Sequence, residues 1–152
     1  MPQQNLRSAD DLQEFLIGRG VASLPGLNVQ EPWASLLLSG RKTIETRTYT
    51  CPSGFLGVPV GLVATRRAND EKAALIGVVR IESCVRYDSL EAFRADEHRH
   101  LVTRGSDYDW IDRSKPKWGW TVLVLATCSV PFPLQGRRGI VWTRELLWSE
   151  PQ

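Results

Sequence analysis

The stretch from Glu31 to Arg47, EPWASLLLSGRKTIETR, constrains the fold more than any other part of the chain. Pro32 sits at the first turn of a short apolar helix, where proline is tolerated. Trp33, Leu36 and Leu37 are expected to face the core, and Gly40 supplies the C-terminal stop. Thr43 to Tyr49 then reads as a strand, from its alternation and its threonines. This strand is too polar for ordinary core, because Lys42, Glu45 and Arg47 crowd into one short run. Side chains alternate faces along a strand, so Thr43, Glu45 and Arg47 share one face and Lys42, Ile44, Thr46 and Thr48 the other. Lys42 lies at the helix–strand junction, where the turn of the chain lets it reach the same site as Glu45. Glu45 beside Arg47 suggests a carboxylate held by a guanidinium. Two readings stand together. The trio lines a polar site for an anionic ligand, nucleic acid first, or it decorates an exposed edge strand as protection against aggregation.

The flanking segments give a mixed α and β pattern. Ser8 with Asp11 three residues on resembles a capping box, and Leu12, Phe15 and Leu16 make an apolar stripe that ends at Gly18 and Gly20. This piece, residues 1–25, reads as an N-terminal helical extension on a main domain of residues 26–147, with 148–152 as a tail. Leu27 to Val29 is a short strand. Leu56 to Thr65 and Ala74 to Tyr87 are long strand signals joined by a loop that carries Arg66 and Arg67. Ser89 to His98 fits a short helix capped by Asp88 or Ser89. Trp118 to Val130 is a third long strand, which Pro131 and Pro133 should end. Gly136 to Gly139 is a turn, and Ile140 to Trp142 a last short strand. Helices without regular βαβ alternation predict an α+β fold, a small mixed β-barrel with short helices on its rim.

With 152 residues the chain suits one core, and its net charge of +2 does not by itself call for a nucleic-acid partner. Cys51, Cys84 and Cys128 are odd in number and far apart in sequence, which disfavours a disulfide framework or a zinc ribbon. This implies a reducing, cytoplasmic setting (nuclear if the source is eukaryotic), with no membrane span and no signal segment. His98 and His100 beside Asp96 and Glu97 lack a third clear metal ligand, so no metal and no cofactor are expected. Trp118, Gly119 and Trp120, with Trp33, offer either core indoles or base-stacking rings, and Gly119 lets the backbone pass close to something. Lys115, Lys117, Arg137 and Arg138 bracket the third long strand, as a phosphate-tracking rim or as solvated turn charges.

These residues resemble a known family. Pro32-Trp-Ala-Ser-Leu-Leu-Leu38 followed by Gly40-Arg-Lys42-Thr-Ile-Glu45-Thr-Arg47 is similar to the ASCH domain signature, in which G-x-K-x-x-E-x-R follows the first helix. Lys117 to Trp120 and Pro133 to Gly139 fit the later part of such domains. The resemblance implies a PUA-like fold with a ligand cleft beside the first helix. Such domains are similar to RNA-binding PUA domains, and the first reading of this chain is binding of RNA or another single-stranded nucleic acid, with Trp33, Arg41, Arg47, Tyr49, Lys115, Lys117, Trp118 and Arg137 as candidate contacts. Family members include ribonucleases and an amidohydrolase acting on N4-acetylcytidine. The latter uses a lysine, a threonine three positions on and a later glutamate. Lys42 matches the lysine, Glu45 stands at the threonine position, and Glu97 is a loose counterpart of the glutamate. Hydrolysis of RNA or of a modified nucleoside by Lys42, Glu45 and Glu97 is therefore the alternative to binding alone.

Overall fold

One strand, Trp118–Gln135, carries the architecture, because its nearly unbroken apolar run can be covered on both faces. In the computed structural model, which describes residues 3–66 and 72–151, the elements run β1 (Gln4–Leu6), α1 (Ala9–Gly18), β2 (Gly26–Gln30), α2 (Trp33–Leu38) and β3 (Ile44–Arg47). After a 3-10 turn at Ser53–Phe55 come β4 (Pro59–Thr65), β5 (Ala74–Arg86), α3 (Leu90–Ala95), α4 (Glu97–His100), β6 (Trp118–Gln135), β7 (Trp142–Thr143) and β8 (Leu147–Trp148). Arg67 lies outside the described residues.

The sheet has the order β1-β6-β5-β4-β2-β7, with β3 and β8 also paired to β6. It is a mixed sheet with a few short helices, as expected. No pairing among the described residues joins its ends, so the hydrogen bonds do not close it into the expected barrel. The prolines do not end β6 either. Leu75 pairs with Phe132 but Gly77 pairs with Thr127, so β6 makes an excursion that holds Pro131, where no ladder N–H is required. Pro133 lies opposite Ala74, and its carbonyl accepts from Ser149 N at 3.0 Å.

The N-terminal segment shares the main core. Ser8 Oγ accepts from Asp11 N at 3.1 Å and caps α1, whose Leu12, Phe15 and Leu16 bury against Leu75, Leu125 and Phe132. Asp11 Oδ2 accepts from Arg7 N at 2.8 Å, not from the cap residue as a capping box would have it. β1 pairs in parallel with β6. A second cluster fills the other side, with Leu62, Val79, Ile81 and Trp120 against Ala34 and Leu37 of α2. Helix α2 turns Ala34 and Leu37 inward, while Trp33 and Leu36 are only half-buried. A third, smaller cluster joins Phe93, Val102 and Trp110 under α3 and α4. No helix among the described residues is long and apolar enough to cross a membrane.

Gly77 sets how closely α2 approaches the sheet. A Cβ there would meet the Leu38 side chain and lie 2.8 Å from the Ala126 carbonyl oxygen. The backbone oxygen cannot move without disturbing the ladder between β5 and β6. Gly77→Ala should therefore destabilise the fold by about 1–3 kcal/mol, read as a lowered midpoint in urea unfolding. A midpoint equal to that of the unmutated chain would refute this close packing.

Candidate functional site

The charged run past α2 points inward. Gly40, at φ 81°, reverses the chain. Lys42 N–H then donates to the Leu36 carbonyl at 3.0 Å, and Thr43 N–H to the Arg99 carbonyl at 2.9 Å. These bonds press the start of β3 against α4 and turn Lys42 into the interior, where it is 2% exposed. Its Nζ donates to the His100 carbonyl and lies 3.8 Å from Glu45 Oε1 and 4.9 Å from the centre of the Trp33 ring. Glu45 is also buried, and its Oε2 accepts from Arg47 Nε at 3.0 Å and Nη2 at 2.8 Å. Arg47 Nη2 also donates to the Asn28 carbonyl at 3.1 Å, and Nη1 to Tyr49 Oη at 3.2 Å. Trp120 Nε1 donates to the Tyr49 carbonyl at 3.1 Å, which ties this chain of charges to the core.

Above it opens a cavity of about 440 Å³. It brings together Trp33, Lys42, Glu45, Arg47, Tyr49 and Lys117 of the residues singled out from sequence. Arg41, Glu97, Lys115, Trp118 and Arg137 do not line it. Arg41 is exposed just past α2, and Glu97 is exposed in the first turn of α4, where the helix directs it to solvent. Lys115 and Arg137 are exposed loop charges, so a continuous basic rim around the cavity is not formed by them. Trp118 packs partly buried on the cluster around Trp120, and Trp120 is wholly buried and stacked on Trp142. Gly119 makes room for Tyr87, whose hydroxyl oxygen would sit 3.0 Å from a Cβ at that position.

Sequence reasoning missed Tyr108, Asn28, Gln30 and Ile140. Tyr108 meets the Trp33 ring edge-on at 5.7 Å and donates to Gln30 Oε1 at 3.1 Å. It stands 47% exposed at the mouth, with Tyr49 and Ile140 also exposed there. Tyr108 belongs to a polar loop without periodicity, and its only local signal was an aromatic ring among turn residues. Asn28 Nδ2 donates at 2.8 Å to the carbonyls of Gly139 and Ile140 and so fixes the opposite lip.

Burial pushes the Lys42 ammonium down to about 8, aided by Arg47 and opposed by Glu45. Burial also opposes the charge of Arg47, but Glu45 and Tyr49 more than offset it, and the guanidinium is held more firmly protonated than usual. His100 is buried and its pKa is lowered, first by burial. Val102 N–H donates to its Nδ1 at 2.9 Å and its Nε2 lies 2.7 Å from the Phe93 carbonyl, which fits a neutral ring protonated on Nε2. His98 is exposed and stands apart from His100. Among the described residues no three His, Cys, Asp or Glu side chains form a metal-binding group. Cys51 is buried near Cys84, and its thiol is pushed up to about 12, first by burial and then by Cys84.

The family model of the ASCH domain matches residues 27–127, a span that holds α2, β3 and the first half of β6. The chain belongs to the ASCH domain family. Its fold is similar to the crystal structure of ASCH from Zymomonas mobilis, at a TM-score of 0.54 and 17% identity over 72% of this chain and 71% of that one. A mutant of the Zymomonas mobilis protein matches at a TM-score of 0.58 and 15% identity, over 84% of this chain and 88% of that one. Such distant likeness bears on the fold alone. No curated protein is significantly similar to the chain. Within this ASCH domain the matched span supplies every charged residue of the cavity.

The buried ammonium gives the domain a distinctive pH response. Folding lowers the Lys42 pKa from 10.5 to about 8, so the unfolded chain holds that proton more tightly. The cost of the charged form is complete below about pH 8 and fades as pH rises towards 10.5. Lys42→Met lacks this contribution. The stability of the unmutated domain relative to that of the variant should therefore rise by about 2–3 kcal/mol across that window, measured by urea unfolding. A relative stability flat in pH would place the ammonium in water.

Proposed function

We propose that this ASCH domain binds RNA or another single-stranded nucleic acid by taking one nucleotide unit into the cavity. The observation that carries the reading is the buried chain Lys42–Glu45–Arg47 lying directly beneath a mouth of aromatic rings. The cavity volume, about 440 Å³, falls in the range of small-ligand sites and suits one nucleotide better than a folded duplex. Trp33, Tyr108 and Tyr49 offer faces on which a base stacks, and base–aromatic stacking is worth about 1–3 kcal/mol per base. Glu45 Oε1 accepts from a base amino group, because Oε2 is already engaged by Arg47. Lys42 and Arg47 set a positive field for phosphate or carbonyl oxygens. Single-stranded RNA fits this arrangement because its unstacked bases can be splayed into a pocket.

Titration of short single-stranded oligoribonucleotides, followed by tryptophan fluorescence over a salt series, tests the reading. Affinity should fall with rising salt, and Trp33→Ala should weaken binding by about tenfold or more. Binding that ignores both salt and the loss of Trp33 would sink it.

One observation favours hydrolysis as a second reading. Lys42, with its pKa near 8 and a carboxylate 3.8 Å away, supplies a base in its neutral form without leaving the protein interior. Glu45 would carry the proton and Arg47 would stabilise the developing negative charge. Glu97 has no place in this scheme, since it does not line the cavity. With N4-acetylcytidine or RNA as substrate, turnover should rise with pH through about 8 and be lost in Lys42→Met and Glu45→Gln. Turnover indifferent to both substitutions would remove the catalytic role.

A further inference from the structure

The charges of the cavity do not balance. Lys42, Arg47 and Lys117 line it, and Glu45 is the one carboxylate among the lining residues. That carboxylate is already shared between Arg47 at 2.8 Å and Lys42 at 3.8 Å. Lys117 stands outside this arrangement. It is 8% exposed, lies just before β6, and reaches the cavity under the loop that carries Tyr108. Its Nζ donates to the Tyr108 carbonyl at 3.3 Å and lies 5.7 Å from the centre of the Phe93 ring. It makes no ion pair among the described residues.

Asp109, the acid whose charge acts on it, forms no ion pair with it. Asp109 accepts from Arg94 Nη2 at 3.1 Å, Gly105 N at 2.9 Å and Trp110 N at 2.8 Å, so its oxygens are committed to the loop. Burial lowers the Lys117 pKa and Asp109 only partly counters this. A buried ammonium that meets one neutral carbonyl is poorly compensated within the fold. An anion entering the cavity provides the compensation, and its charge matches the excess of cations over carboxylates there.

We infer that Lys117 is the specificity-determining residue for a phosphate group, so that the cavity prefers a phosphorylated nucleotide to the corresponding neutral nucleoside. This rests on the proposal that the cavity takes a nucleotide unit. The phosphate comes from a free mononucleotide or from the backbone of a strand, and both present the same oxygens to the ammonium. Lys117 is thus distinct in role from Lys42, whose Nζ is bonded to the His100 carbonyl and faces Glu45.

Isothermal titration at low salt decides the matter, with the four ribonucleosides, their 5′-monophosphates and a trinucleotide lacking a terminal phosphate as probes. The unmutated domain should bind at least one monophosphate about tenfold or more tighter than its nucleoside. Lys117→Met should shrink that gap, and Lys117→Arg should keep most of it. The trinucleotide separates the sources: dependence on Lys117 there assigns the phosphate to a strand, and dependence with the monophosphates alone assigns it to a free nucleotide. Equal affinity for nucleoside and monophosphate in the unmutated domain would overturn the inference while leaving base binding intact, and needs no variant to fold. A gap undiminished in Lys117→Met would also overturn it. Failure of every probe to bind would overturn the underlying proposal, and the inference with it.

Discussion

Burying the ammonium of Lys42 is the constraint around which the rest of the site is arranged. A cation taken out of water is costly unless its donors are met and a counter-charge is near. Here the His100 carbonyl meets one donor and Glu45 supplies the negative charge. Glu45 in turn is a buried carboxylate, and the Arg47 guanidinium holds it from the other side. Arg47 is satisfied by Asn28 and Tyr49, and Tyr49 by the indole of Trp120. Each charge is thereby oriented by the next, from the end of α4 to the centre of the sheet. Such preorganised charge in a largely buried setting acts more strongly than the same groups would in water.

The geometry also depends on residues remote from the cavity. Gly119 leaves room for the Tyr87 ring, and Tyr87 Oη donates to Asp96 Oδ2 at 2.7 Å. Asp96 joins α3 to α4, so this bond anchors the start of α4, the short helix whose last residue, His100, presents its carbonyl to Lys42. The neutral His100 ring bridges Phe93 and Val102 and closes that corner. Asp109 gathers Arg94, Gly105 and Trp110, which folds the following loop so that Tyr108 and Lys117 reach the cavity. An irregular loop of this kind persists because its backbone donors find partners within it, Gly105 and Trp110 on the Asp109 carboxylate and others on loop carbonyls and Asp112.

Much of this was legible from the sequence. The apolar stripe of Leu12, Phe15 and Leu16, the glycine stop at Gly40, the strand of alternating charge and the long runs that became β4, β5 and β6 all follow from local periodicity. The pairing of Glu45 with Arg47 follows from their spacing on one strand face. Other features were not legible. Pro131 and Pro133 are strand-ending signals locally, yet the excursion in β6 absorbs them. Helix α2 turned Ala34 inward where Leu36 was expected, because Leu38 packs down upon Gly77. The short strands β1, β7 and β8 take their form from partners far along the chain and carry little local pattern.

By itself, then, the sequence determined the mixed α and β character, the family signature in the stretch from Gly40 to Arg47, and the presence of a cationic and acidic trio beside a short helix. Those properties are local, set by turn chemistry, periodicity and side-chain type over a few residues. Only the tertiary structure decided that Lys42 is buried, that Glu97, Lys115 and Arg137 stand away from the cavity, and that Tyr108 and Lys117 complete it. Burial and convergence come from long-range packing of α4 and the loop after it against β3. No spacing along the chain encodes the low dielectric and shared enclosure that such packing creates.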